Sequence, residues 1–217
     1  MLLTDRRLLI AGGVITVLGV LLLFYSPSSY TTAPPSDTDC VDTYLTHELA
    51  PALYNGWQRA EPFELLLDED KVNRAIRSGE WPKTHESMQF SAPVVDFADD
   101  KLTVMTTAAA KLLEFVVTIE IRPAVNEAGM LNVPVESIKI GAVDVTPLAK
   151  LTARNIYHSW TNRQQNAGPD GVEIDLIESL LNNRPFEGVF ESAGRKLRVK
   201  DVRVRDKKMA IDLVRED

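Results

Sequence analysis

Over most of the stretch between Glu86 and Asp144 an apolar side chain returns at every second position, and this twofold rhythm restricts the possible folds more than any other feature of the chain. Leu113, Phe115, Val117, Ile119 and Ile121 share one face of an extended strand, with Glu114, Thr118, Glu120 and Arg122 on the other. Met88, Phe90, Ala92 and Val94 alternate before it, as do Leu102 and Val104; after it Leu131, Val133 and Val135 lead to Ile138 and Ile140. Four long strands, joined at Asp99-Asp100-Lys101, near Ala109-Ala110 and at Asn126-Glu127-Ala128-Gly129, predict an antiparallel meander with one apolar face. Pro93, with a register slip to Val95 and Phe97, predicts one bulge, and a slip between Val135 and Ile138 predicts another. Bulges bend strands, so the expected sheet is strongly curved.

Helical patterns flank this region. Val41, Tyr44, Leu45, Leu49, Ala52, Leu53 and Trp57 keep helical spacing, with a kink or restart at Pro51. Phe63, Leu65 and Leu67 predict a short strand, and Asp68 caps a helix that buries Val72, Ala75 and Ile76 and stops at Gly79. Thr146-Pro147 opens a helix that ends at Gly168-Pro169, with Ala149, Ala153, Ile156, Tyr157 and Trp160 on its apolar face. This helix is expected to lie in the curve of the sheet. Asp175 to Asn183 reads as a helix capped by Asp175, although Val172 to Leu176 also alternates as a strand would. Leu197, Val199, Val202 and Val204, a turn at Asp206-Lys207-Lys208, then Met209, Ile211 and Leu213 predict a closing hairpin.

Leu8 to Tyr25 carry no charge. As a helix they would reach about 27 Å, close to the hydrocarbon core of about 30 Å. Arg6 and Arg7 precede them and Asp37, Asp39 and Asp42 follow, so the N-terminus is expected in the cytoplasm and the rest outside, held by a single-pass signal-anchor; the rival is a cleaved signal peptide, whose small-residue site Thr31-Thr32-Ala33 would run into Pro34, a poor residue after a scissile bond. Residues 26–40, rich in Ser, Thr and Pro, predict a solvated tether. The expected division is thus 1–25 stub and transmembrane helix, 26–40 linker, and 41–217 extracytoplasmic α+β domain.

Chemistry is less visible. A net charge of -7 argues against nucleic acid, whose phosphates call for excess Lys and Arg. The single cysteine, Cys40, excludes an internal disulfide or a thiolate cluster. His47, His85 and His158 share no spacing, and the motifs of zinc hydrolases, P-loops and nucleophile elbows do not occur. No catalytic residue, metal ligand or cofactor is expected, and the chain reads as non-catalytic. Between Arg195 and Lys208, eight of fourteen residues are Lys or Arg. Arg198, Lys200, Arg203 and Arg205 would form a cationic face that either meets lipid headgroups or is an ordinary solvated strand.

Pro62 to Ile76 resembles the opening of the YpmS-like membrane-anchored proteins: a strand, an acidic cap, then a helix bearing an asparagine, here Asn73. Gly129 to Gly141, followed by Pro147-Leu148-Ala149-Lys150-Leu151, is similar to the glycine turn, long strand and helix entry of YpmS-like and LmeA-like proteins, with Asp144-Val145-Thr146 where relatives often carry a second proline. The resemblance spans about residues 41 to 217. It implies a half-module of the TULIP lipid-binding type, a curved antiparallel sheet around a long helix, and lipid handling outside the cytoplasmic membrane. The expectation is therefore an α+β fold that binds or transfers phospholipid or another lipid. The groove would be lined by Phe115, Val117, Ile119, Ile121, Leu131, Val133, Ile156, Tyr157 and Trp160. The competing expectation is a scaffold or interaction subunit of a cell-envelope complex, with a closed core, a protein partner and no ligand.

Overall fold

The twofold rhythm does become strands, but three sheets divide them, one of only two strands. The computed structural model describes residues 21–28, 30–31, 43–59, 61–85, 87–111, 113–163, 171–192 and 195–216, without the side chains of 156–163, 171–174, 192 and 195. Arg6, Arg7, Leu8 to Val20, Asp37, Asp39, Cys40, Val41, Asp42 and Gly168-Pro169 lie outside the described residues. Among those described, no helix is long and apolar enough to cross a membrane.

A π-helical run, Tyr44–Leu49, passes into α1 (Ala50–Gln58). Pro51 sits at the start of α1, where its missing N–H leaves no helical bond unmade, so the expected restart occurs there. β1 (Phe63–Asp68) and α2 (Glu69–Arg77) follow. Asp68 caps α2 by accepting the Lys71 N–H at 3.2 Å. Then come β2 (Lys83–His85), β3 (Met88–Phe90), β4 (Val94–Ala98), β5 (Lys101–Ala110), β6 (Leu113–Ile121), β7 (Ala124–Val125), β8 (Leu131–Asn132), β9 (Val135–Ile140) and β10 (Val143–Asp144). The chain continues through α3 (Thr146–Arg163), α4 (Gly171–Asn182), β11 (Val189–Ser192), β12 (Arg195–Arg205) and β13 (Lys208–Glu216).

The larger sheet runs β10-β9-β6-β5-β3-β2, with β4 also paired to β5. Both predicted bulges are present. Phe90 faces Ala108 while Val94 faces Met105, so the strand interrupted at Pro93 carries one extra residue. On β9, Ile121 faces Val135 but Glu120 faces Ser137, which leaves Glu136 as the extra residue. The β4–β5 and β12–β13 turns each hold two residues at positive φ, Asp99 with Asp100 and Asp206 with Lys207, the conformation that matches the twist of paired strands.

Several expectations are corrected. The closing hairpin does not join the meander: β13 pairs with β1, Phe63 opposite Leu213, in a separate four-stranded sheet of order β1-β13-β12-β11. The Asn126–Gly129 turn joins β7 to β8, not β6 to β9, because Pro134 cannot donate to a ladder and the chain changes sheets there. Asp175 lies inside α4 rather than at its cap, and the alternation of 172–176 is helical. At the start of α3 the Thr146 hydroxyl accepts the Ile138 N–H at 2.7 Å, and it is the Asp144 carboxylate that takes the Thr146 N–H at 2.8 Å. The Thr146 hydroxyl, which donates to the same carboxylate, and then the Thr146 N–H hold the Asp144 carboxyl below the usual carboxylate range. α3 packs along β9, beside the short edge strand β10, and is tied there by Lys150 Nζ donating to the Val135 carbonyl at 2.7 Å.

Phe97 and Val95 from the larger sheet pack with Val204 from the smaller, and Leu67, Val72, Ile76 and Met209 close over them. Asn73, buried on α2, completes this junction in place of a neighbouring strand: its amide donates to the Val95 carbonyl and accepts the Val95 N–H, both at 2.7 Å. A second core, Leu131, Phe186, Leu197, Val199 and Leu213, lies under α1.

Candidate functional site

β5 and β6 present two faces of opposite character. Leu102, Val104, Thr106, Ala108 and Ala110 lie opposite Ile121, Ile119, Val117, Phe115 and Leu113 on the first face, which β9 extends with Ile138 and Ile140. Of these twelve residues only Ala108 is buried; Leu113 is 56% exposed and the rest are half-buried. The second face carries Met105, Thr107, Val116 and Thr118, all buried. On the first face Leu102 and Val104 pack on the Val95, Phe97 and Val204 core, so its less sealed part is the end towards Leu113.

The seal on the second face comes from the segment read as a tether. Tyr30 is 8% exposed and packs on Met105 and Val116. Its hydroxyl lies 2.8 Å from Thr107 Oγ1 and 3.1 Å from Ser91 Oγ. Within this run Tyr30 is buried on the sheet while Ser26, Ser28 and Thr31 are exposed. A tyrosine over a threonine-rich patch gains ring burial and a polar partner together, which outweighs the freedom of a short Ser- and Pro-containing run. Tyr30 is the single aromatic residue between Tyr25 and Tyr44, and that isolation was the available signal. Tyr30→Phe is expected to lower stability by about 1–2 kcal/mol, read by denaturant unfolding of the full chain in detergent micelles. An unchanged midpoint would mean that the hydroxyl does not hold the segment down.

Just upstream, Leu21, Leu22, Leu23, Phe24 and Tyr25 expose their apolar side chains. Their backbone is fixed to the sheet all the same: the Ala142 N–H donates to the Leu22 carbonyl at 2.8 Å. Gly141, at φ +60°, makes this approach possible, since a Cβ there would stand 2.3 Å from the Leu23 oxygen. β6 runs past the end of β9, whose last link is the Gly141 N–H to the Val116 carbonyl. Beside that free edge, Phe24, Tyr30, Glu114 and Phe115 line a cleft of about 370 Å³.

The groove candidates fall into three places. Phe115, Val117, Ile119 and Ile121 share the half-open face. Leu131 is buried in the other core, with Val133 packed against it, because the chain has crossed sheets before reaching them. Ile156, Tyr157 and Trp160 lie on α3, with side chains outside the described residues. The cationic strand is largely neutralised. Arg198 pairs with Glu216, which raises its pKa further, Arg203 reaches Glu64 and Asp212 at 2.9 Å, and Arg205 lies 3.5 Å from Asp100. Lys200 is exposed at the bulge of β12.

Glu120 bonds Lys139 at 2.8 Å, with Lys101 at 3.7 Å, and the Lys139 bond holds its carboxyl below the ordinary range. This cluster fixes β6 to β9. Among the described residues no three His, Cys, Asp or Glu side chains gather to hold a metal. Set beside protein-family models, curated proteins and solved structures, the chain matches none of them.

Proposed function

We propose that this chain is a single-pass membrane-anchored protein, N-terminus in the cytoplasm and folded body outside, that binds or transfers lipid without catalysis. The observation that carries the reading is the incompletely sealed apolar face of β5, β6 and β9, which begins at exposed Leu113 and continues through Phe115, Val117 and Ile119. Sites for apolar ligands are concave and mostly apolar, with a few polar groups at the rim. Two bulges, which bend strands, and the packing of α3 along β9 support a groove on this side of the sheet. The charge-free run Leu8–Tyr25 and the resemblance to YpmS-like and LmeA-like proteins support the same reading.

The test is a photoreactive residue placed at Val117, and separately at Lys139 on the opposite face, in the full chain within native membranes. Lipid adducts at Val117 and not at Lys139 are the expected result. A protein adduct at Val117 would overturn the reading in favour of the envelope scaffold, and lipid at neither position would also overturn it.

A further inference from the structure

We infer that the β5–β6 end of the larger sheet sits in the outer interfacial layer of the lipid bilayer, with Leu113 deepest; this rests on reading Leu8–Tyr25 as a membrane anchor. An anchor joined through a free linker would leave the body unoriented. Here the chain has no slack: within two residues of Leu23 the backbone is already bonded to the sheet at Ala142, and Tyr30 clamps the following turn. Whatever lies beside Leu22 to Phe24 is therefore held at the depth where the apolar run ends. The neighbours are the Gly141-Ala142 turn and the start of β6, since Phe24 and Phe115 line one cleft.

From that level the β5–β6 hairpin projects further. Leu113 is 56% exposed at its end, beside half-buried Ala110. An isolated exposed leucine would call for no comment, but this one continues the exposed row Leu21, Leu22, Leu23 and Phe24 at the same end of the sheet. Lys111 has a stem long enough to carry its ammonium back to the phosphates, and Glu114, also exposed, points to the other face of the strand. The opposite end of β5 holds Asp99 and Asp100, about 30 Å away along ten residues of strand, with Asp206 beside them. Carboxylates thus gather at the end far from an anionic surface. Arg205 of β12 belongs to that far end too, meeting Asp100, and Arg198 and Arg203 are held by Glu216, Glu64 and Asp212.

The experiment uses the full chain with Cys40→Ser in nanodiscs of phosphatidylcholine and phosphatidylglycerol. A fluorophore is attached at Leu113→Cys or at Lys207→Cys, and quenching by nitroxide-labelled lipid is compared. Quenching at least threefold stronger at Leu113 is expected, falling towards the Lys207 level when Tyr30→Ala releases the clamp. Equal weak quenching at both sites would overturn the inference. Alkaline carbonate extraction of membranes carrying the same variants separates the two readings. A chain that stays in the membrane while Leu113 goes unquenched refutes only the orientation, whereas a chain that washes off refutes the anchor and the orientation together.

Discussion

Phe97→Ala is expected to cost the fold about 3–5 kcal/mol, measured as a shift in denaturant unfolding of the full chain in detergent micelles. Phe97 is 2% exposed and stands where the two sheets meet, its ring against Val95 and Val204. The surrounding backbone cannot close over the cavity. Phe97 N–H is held by the buried carboxylate of Glu69 at 2.8 Å, and its carbonyl accepts the Lys207 N–H at 3.1 Å. Phe97→Leu keeps most of the volume and should lose less than about 1.5 kcal/mol. A loss below about 1 kcal/mol for the alanine variant would mean that the sheets do not share a core.

Gly141→Val is expected to detach residues 21–31 from the sheet and to cost about 2–4 kcal/mol, combining left-handed strain with the lost Ala142 bond. The atoms that a Cβ would strike, the Leu22 and Leu23 oxygens at 2.4 and 2.3 Å, are backbone and cannot turn aside. Limited proteolysis reads the outcome: new cleavage between Ser26 and Thr31 should appear, with the rest of the chain intact. Gly129 is the control. It also has positive φ, +74°, but nothing lies within 4 Å of its missing Cβ, so Gly129→Ala should cost only about 1 kcal/mol and open no new site. Equal resistance of both variants would show that the junction tolerates a side chain.

Most strands were legible because alternation is a local property: β5, β6, β12 and β13 lie where the rhythm places them, and both bulges coincide with a proline or a slip of phase. Partners of strands were not legible. Period two says which face of Leu213 is buried, but not that its neighbour is Phe63, which is 150 positions earlier. The same local pattern places Leu131 in the groove, but the chain leaves the larger sheet after Ile121 and rejoins it only at Val135, so Leu131 packs in the other core. The clamp was hidden for a different reason. A segment of serines and prolines has no apolar period, so its docking depended on one ring, Tyr30, and on a hydroxyl patch assembled from Ser91 and Thr107. Asn73 and Glu69, polar side chains standing in for strand neighbours, likewise leave no trace in hydropathy.

The path of the larger sheet ends in two very short strands, β2 of three residues and β10 of two, while β4, off that path, has its backbone met by the Asn73 and Glu69 side chains. Long open borders invite copies to zip together through their unpaired amides and carbonyls, and abbreviated ones offer too few such groups to hold. For molecules confined to two dimensions, as proposed above, chance encounters with identical neighbours are frequent. Truncated margins would then let the protein crowd without polymerising.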